Sequence, residues 1–347
     1  MYHPIILTES YDGEITGFLN SIGKNNPSVL GYHYPLYRKM LEKIGVGKPL
    51  YIGLLDHSDK VIAILPGFIK TQKEGSLYCS LPFFGPNSGV LFDKTVHDPH
   101  CVYSSILSFL FSELEKHEMI SASFYSAFYD NDDYTEFERL VPDPVIIDKF
   151  TNFISLASYN PISSVKNHIR KAIKSGVTIR DVRKKEDIDT IYSIYTKNCE
   201  DYGIPLKPFS CVEEIIEVGN SGGFSKTYIA ETGDKIIGAL IIIYSPSTAS
   251  YYLPCSIHEY RIYQPMPLLI DHAIKESILR GTRFWNWESS PSKDSGVYKF
   301  KKDWGSLDGT YKIFVRTYKD FDFYRQLGQN RINGLFPYYY VYPFNRI

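Results

Sequence analysis

A chain of 347 residues with 44% hydrophobic and 22% charged residues has the composition of a folded globular protein, which excludes disordered, collagen-like and coiled-coil rods. The length suits two domains, each able to bury a substantial core. A formal net charge of −1 supplies no global field for nucleic acid or an anionic membrane, so any such contact must rest on a local patch.

In chain order, apolar spacing predicts helices over residues 14–22 and 34–44. YIGLLDHSDKVIAIL (51–65) then reads as a hairpin, two β-rich runs bent by Ser and Asp. A short strand at 77–80, a loop with aromatics and prolines, a helix at 102–117 and a strand at 120–128 follow; Ile106, Leu107, Leu110 and Leu114 mark the helix. Asn160-Pro161 and Ser163-Ser164 punctuate the chain and put the domain boundary at 158/159. Beyond it the order repeats. A strand at 177–182 leads into a helix at 186–199 with Ile188, Ile191, Tyr192 and Tyr195 on one stripe. YIAETGDKIIGAL (228–240) is a second hairpin, its DKIIG matching the DKVIA of the first. A strand at 250–253, a helix at 266–280 carrying Ile270, Ala273, Ile274 and Ile278, and a strand at 283–288 complete the second copy. That copy continues through a helix over 295–304, with Ser295 as N-cap and Gly305 just past its end, into a strand at 311–318. The pattern predicts a mixed α/β fold in which one unit is used twice.

The five cysteines form no CxxC pair and no cluster with histidine, which argues against a disulfide framework or a metal site and suits a reducing compartment. Residues 1–20 contain Glu9, Asp12 and Glu14 without the apolar stretch of a leader, and the longest apolar run, 236–244, is far short of the ~20 residues a membrane helix needs. A cytoplasmic protein without a transmembrane segment is expected.

Four regions could carry chemistry. On the helix 295–304, Val297, Phe300 and Trp304 define an apolar stripe, and Lys301 lies four residues after the first and three before the last. That spacing puts an ammonium on or beside a buried face, either held there for a task or reaching out to solvent at the stripe's edge. Residues 166–185 contain Lys166, Arg170, Lys171, Lys174, Arg180, Arg183, Lys184 and Lys185, with Asp181 the acid among them. This is a phosphate site or a solvated helix face; Arg170, with Lys171 beside it, is the leading candidate because a guanidinium forks onto phosphate. Arg38 and Lys39 stand among Tyr32, Tyr34 and Tyr37 on a helix that also fits an amphipathic surface role. Glu288 ends a strand where open α/β sheets place ligands, and either accepts a proton or pairs with a nearby cation.

Three segments resemble one family. SVKNHIRKAIKSGVTIRD (164–181) is similar to the basic helix that precedes the second domain of the FemAB-like aminoacyl and acyl transferases, proteins built from two GNAT-like domains. GVYKFKKDWG (296–305) resembles that family's G-x-x-x-F-K-x-x-W-G element, and LPFFGPNSG (81–89), with one glycine replaced, resembles its Pro-Phe-Gly-Gly loop. The resemblance implies tandem GNAT-like domains: 1–158, completed by 320–347, and 159–319. It implies transfer of an activated aminoacyl or acyl group onto an amine of a phosphate-bearing or lipid-linked cell-envelope precursor, held in a groove between the domains. Lys301 would face the reacting carbonyl, Arg38 and Lys39 the acceptor's phosphates, and Tyr298 and Phe300 the substrate beside Lys301. No permanently bound cofactor is implied; the co-substrate would be aminoacyl-tRNA or acyl-CoA, with tRNA a possible partner and DNA none. Where CoA-using relatives carry a glycine-rich turn, this chain reads RIYQPMP (261–267), without glycine and with two prolines that lack N–H donors. That departure favours aminoacyl-tRNA. An acyl-CoA-dependent transferase acting on an amino sugar, and a silent binding module, are the alternatives.

Overall fold

The computed structural model describes residues 2–83, 89–93, 96, 98–127, 132–290 and 292–339. The chain divides into two compact units, residues 1–150 with 309–347 and residues 151–308.

In chain order the first unit begins with β1 (His3–Ile6), α1 (Asp12–Gly23), α2 (Pro35–Lys43), β2 (Lys48–Pro49) and the hairpin β3 (Ile52–Leu55) and β4 (Val61–Leu65). A second hairpin follows, β5 (Phe68–Gln72) and β6 (Gly75–Cys79), and then β7 (Leu91–Phe92), α3 (Pro99–Leu114), β8 (Met119–Tyr125), α4 (Asp132–Leu140) and β9 (Val145–Ser155). The 77–80 strand expected from the sequence is therefore the return half of a hairpin. Most of the Leu81–Gly89 loop lies outside the described residues, as does the chain beyond Tyr339. One sheet of this unit has the order β1-β3-β4-β7. In the other, β2, β5 and β6 pair antiparallel, and β6 pairs parallel with β8. Tyr103, Phe124 and Phe137 pack edge-on and tilted in the core, 5.7–5.8 Å between ring centres, beside Leu107, Leu110 and Phe314.

The second unit contains α5 (Ser163–Lys174), β10 (Thr178–Asp181), α6 (Lys185–Tyr202), α7 (Phe209–Gly222), β11 (Ser225–Thr232), β12 (Lys235–Tyr244), β13 (Thr248–Ser256), α8 (Pro265–Leu279), β14 (Phe284–Ser289) and α9 (Gly296–Asp303). β10 to β13 pair antiparallel in sequence order, β14 joins β13 in parallel, and the end of β9 adds antiparallel to β14, Trp285 facing Ile154. This end of β9 moves the division to 150/151, eight residues ahead of the expected 158/159: ladder hydrogen bonds to β14 outweigh the Asn-Pro punctuation. β15 (Leu307–Thr317) likewise belongs to the first unit from Gly309 on, pairing with β8 from Ile313 to Thr317, so the second division falls at 308/309 and not at 319/320. α10 (Phe321–Leu327) and α11 (Gln329–Leu335) complete the first unit; Tyr324 Oη donates to Ile120 O at 2.8 Å and Arg331 pairs with Glu74.

Helix α8 buries Leu269, Ile270, Ala273 and Ile274 over the sheet, at roughly 1.5–3 kcal/mol per large side chain. Ile278, expected on that stripe, is exposed, and Ser277 turns inward in its place, its hydroxyl satisfied by Ala273 O at 2.7 Å. All three tryptophans, Trp285, Trp287 and Trp304, are buried in this unit's core.

Candidate functional site

β13 and β14 pair only through Thr248↔Phe284, Ala249↔Trp285 and Ser250↔Asn286, although β13 runs on to Ser256 and β14 to Ser289. The ladder thus stops short of the C-terminal ends of two parallel strands, the place where such sheets leave room for ligands. A cavity of about 450 Å³ adjoins this end, with Tyr251, Ser256, Arg261, Met266, His168 and Phe300 in its wall. The start of α8 also borders it. There Gln264 takes a left-handed conformation (φ 57°), and Pro265 and Pro267 leave the first turn two N–H donors fewer than an ordinary helix start.

Glu288, the last residue but one of β14, has a left-handed φ of 60°, which costs a non-glycine residue about 1 kcal/mol. Buried Asn286 stabilises this shape. Its Oδ1 accepts the Glu288 N–H at 3.0 Å, and its Nδ2 donates to the Glu288 carboxylate at 2.8 Å. Strain of this kind, fixed by a neighbouring side chain, marks functional sites. Lys301, 4% exposed, reaches the same turn and donates from Nζ to Glu288 O at 3.0 Å and Ser289 O at 2.9 Å. Burial pushes its pKa down to about 8 against the opposing pull of Glu288. A second buried lysine, Lys207, lies in the loop between α6 and α7 with Nζ 5.1 Å from the centre of the Tyr252 ring. Burial lowers its pKa to about 8 as well, opposed by Cys211 and Glu288. Cys211 Sγ lies 3.5 Å from Tyr252 Oη, and burial pushes its thiol up to about 11. One carboxylate therefore acts on two buried lysines that exchange protons near neutral pH, a combination suited to proton transfer and to stabilising a developing oxyanion.

The helix that carries Lys301 forms as its sequence predicts: the Ser295 hydroxyl caps it, accepting the Tyr298 N–H at 3.2 Å, and Gly305 follows its end at φ 79°. Its inward face differs from the expected stripe. Val297 is half exposed and Lys301 is buried in its stead, because Phe300 and Trp304 already fill the space against Trp287. Phe300 also walls the cavity, whereas the Tyr298 hydroxyl donates to Asp308 at 3.0 Å and braces α9. Arg170 and Lys171 are exposed on α5, Arg170 donating to Asn167 Oδ1 at 2.8 Å. Arg38 and Lys39 are in the first unit. Arg38 is buried against Asp12 and Glu42, with its guanidinium 5.4 Å from the Tyr51 ring centre, and Lys39 is exposed and paired with Asp12 at 2.9 Å. The expected phosphate-binding Arg38 is thus an interior ion pair, because two carboxylates on its own and the neighbouring helix reach it first. Within the basic run, Arg180 is likewise absorbed, forking onto Asp187 at 2.8 and 3.0 Å and pairing with Glu231 at 2.6 Å.

Sequence reasoning missed Lys207. The only signal was a single lysine inside Pro205-Leu206-Lys207-Pro208-Phe209, a loop otherwise apolar. Nothing local shows that α6 and α7 close over it.

Residues 162–286 match the family model described as acetyltransferase (GNAT) domain. No curated protein matches the chain in sequence. Solved structures similar to it include FemX, with TM-score 0.65 and 12% identity over 89% of this chain and 96% of that one. L-PGS from Bacillus licheniformis matches at TM-score 0.56 and 10% identity over 82% of this chain and 92% of that one. A tandem GNAT protein from the clavulanic acid biosynthesis pathway matches at 0.52 and 8% over 92% and 99%. The protein has a FemAB-like GNAT fold, and the acetyltransferase (GNAT) match lies wholly in its second unit.

Proposed function

We propose that this protein transfers an activated aminoacyl group onto an amine of a phosphate-bearing or lipid-linked cell-envelope precursor, with Lys301 and Glu288 at the reacting end. The observation that carries the reading is the left-handed turn at Glu288, held by Asn286 and buried Lys301 just past the end of the GNAT match at residue 286. The acceptor amine attacks the ester carbonyl of the donor, forming a C–N bond and a tetrahedral oxyanion. Two protons of Lys301 stay on the backbone carbonyls while the third is offered to the oxyanion. Glu288 takes the amine proton and passes it to the departing oxygen as the oxyanion collapses and the C–O bond breaks, so the leaving group departs as the alcohol and the carboxylate is restored. No covalent intermediate is required. The likeness to FemX and to L-PGS supports an aminoacyl donor and an envelope acceptor. The two prolines at the start of α8 support a donor without a pyrophosphate to seat there. The proposed reaction is cytoplasmic; among the described residues no helix is long and apolar enough to cross a membrane.

The GNAT family match and the cavity at α8 favour a second reading, acyl-CoA-dependent acylation of an amino sugar. The test incubates the full chain with aminoacyl-tRNA or acyl-CoA and either a peptidoglycan-precursor amine or an amino sugar, and reads product mass. The first reading expects aminoacylated product and salt-sensitive tRNA binding. Acylated product together with thermal stabilisation by CoA selects the second. Acceptor binding without product from any donor overturns both.

A further inference from the structure

The outer face of α5 carries charge that the transfer site leaves unused. From Ser163 to Lys174 the helix holds Lys166, Arg170, Lys171 and Lys174 and no acid, on a chain whose formal net charge is −1. Arg170, Lys171 and Lys174 are exposed. The partners of Lys166 and Arg170 are neutral amides, Asn160 at 2.7 Å and Asn167 at 2.8 Å. Among the described residues none of these four cations is paired with a carboxylate, whereas nearby Arg180, Lys185 and Lys226 all are. Val165 and Ala172 face the core, and two isoleucines do not: Ile162 is 46% exposed and Ile173 59%. Eleven residues apart, they are three helical turns from each other on nearly the same line, with Lys166 between them and the other cations to one side. The helix therefore shows solvent an apolar edge beside a cationic face.

We propose that this face docks the protein peripherally on an anionic lipid bilayer, the cations on headgroup phosphates and the isoleucines in the headgroup boundary. A nucleic-acid backbone would use the cations but gain nothing from the isoleucines, and α5 offers no Phe, Tyr or Trp for base stacking. The inference deepens the proposed function and rests on it in one respect: it makes the acceptor's source the membrane surface, hence a lipid-linked amine. The docking itself needs neither donor nor turnover.

The experiment is co-sedimentation of the full chain with vesicles of phosphatidylcholine alone or with roughly one-third phosphatidylglycerol. Binding to the anionic vesicles only is expected, each cation contributing about fivefold. The triple variant R170E/K171E/K174E should bind at least about 100-fold more weakly. K48E/K73E/K149E, with the same charge change at exposed lysines of the first unit, should bind as wild type does. Ile162→Ser with Ile173→Ser should weaken binding severalfold and leave the remainder more sensitive to salt. Equal binding to both vesicle types, or equal losses in the two triple variants, overturns the proposal. So does binding of total tRNA that depends on the three α5 cations when vesicle binding does not. Lys301→Met should bind vesicles normally, so a failed transfer reaction and a failed docking surface are read separately.

Discussion

Both units run from a strand through two helices and a set of strands to a helix and a strand, with six strands between α2 and α3 and three between α7 and α8. They differ in what they bury. In the second, β12 is ten residues long and links β11 to β13 in one antiparallel run. In the first, the corresponding hairpins have strands of four or five residues, and β3-β4 and β5-β6 pair in separate sheets. Buried charge follows the same division. The first unit buries Arg38 against two carboxylates, Asp12 and Glu42; the second buries Lys207 and Lys301 around the one carboxylate of Glu288. Arg38 and Lys39 match Asp12 and Glu42 charge for charge, and the cluster joins α1 to α2. Two lysines sharing one acid remain poised to gain or lose a proton. The duplicated scaffold thus teaches that a buried cation signals chemistry only when its partners are counted.

Two substitutions set the units against each other. Lys301→Met should lower transfer at least about 100-fold, the scale for removing one oxyanion donor. Its melting temperature should hold or rise, because a buried ammonium is replaced by an apolar chain of similar volume. Wild-type turnover would remove Lys301 from the mechanism, and a collapse in melting temperature would make it purely a clamp on β14. Arg38→Met should do the reverse. Stranding Glu42 and leaving Asp12 to Lys39 alone should cost about 3 kcal/mol, several degrees in melting temperature, with turnover per folded molecule unchanged. If turnover vanished while the fold held, the first unit would share the chemistry and the contrast would break.

Local rules made much of this legible. The DKVIA and DKIIG hairpins, the Ser295 cap and Gly305 depend on turn and cap chemistry within a few residues, and they form as read. Spacing from Val297, Phe300 and Trp304 puts Lys301 on or beside a buried face, and it is buried. Its burial in preference to Val297 was not legible, since that depends on Trp287, Phe300 and Trp304 filling the facing space. The charge of the 166–185 run was plain, but not its partners: Glu231 of β11 lies 51 residues from Arg180. The cavity brings together His168, Tyr251, Arg261 and Phe300 from four separate segments, and Lys207 is enclosed by helices whose packing no local pattern records.

A pH series sharpens the contrast. Lys207 and Lys301 have folded-state pKa values near 8, below the unfolded value of 10.5. Between those limits the unfolded chain binds more protons, so stability rises with pH across this window. The cost of burying the charge is present in full below pH 8. Each lysine should contribute a rise on the order of 3 kcal/mol between pH 8 and 10.5. Denaturant unfolding should show this in wild type, and Lys301→Met should lose about half of it. Arg38→Met should keep the whole rise from a lower starting point, unless the first unit also titrates. Transfer should fall as pH passes 8, where Lys301 loses the proton it offers to the oxyanion.

The smallest effect tests whether α9 must be rigid as well as present. Ser295 caps the helix through the Tyr298 N–H, and α9 spans only Gly296–Asp303, so its first turn is a large part of it. Ser295→Ala should cost about 1 kcal/mol, and Ser295→Asp should restore most of it by capping the same N–H. Lys301 lies in the last turn and is tied to Glu288 and Ser289, so fraying from the far end should reach it only weakly. Transfer should then fall less than about tenfold in the alanine variant and recover in the aspartate one. A loss as deep as that of Lys301→Met would mean that the ammonium is positioned by the whole helix, and that the two backbone carbonyls alone do not hold it.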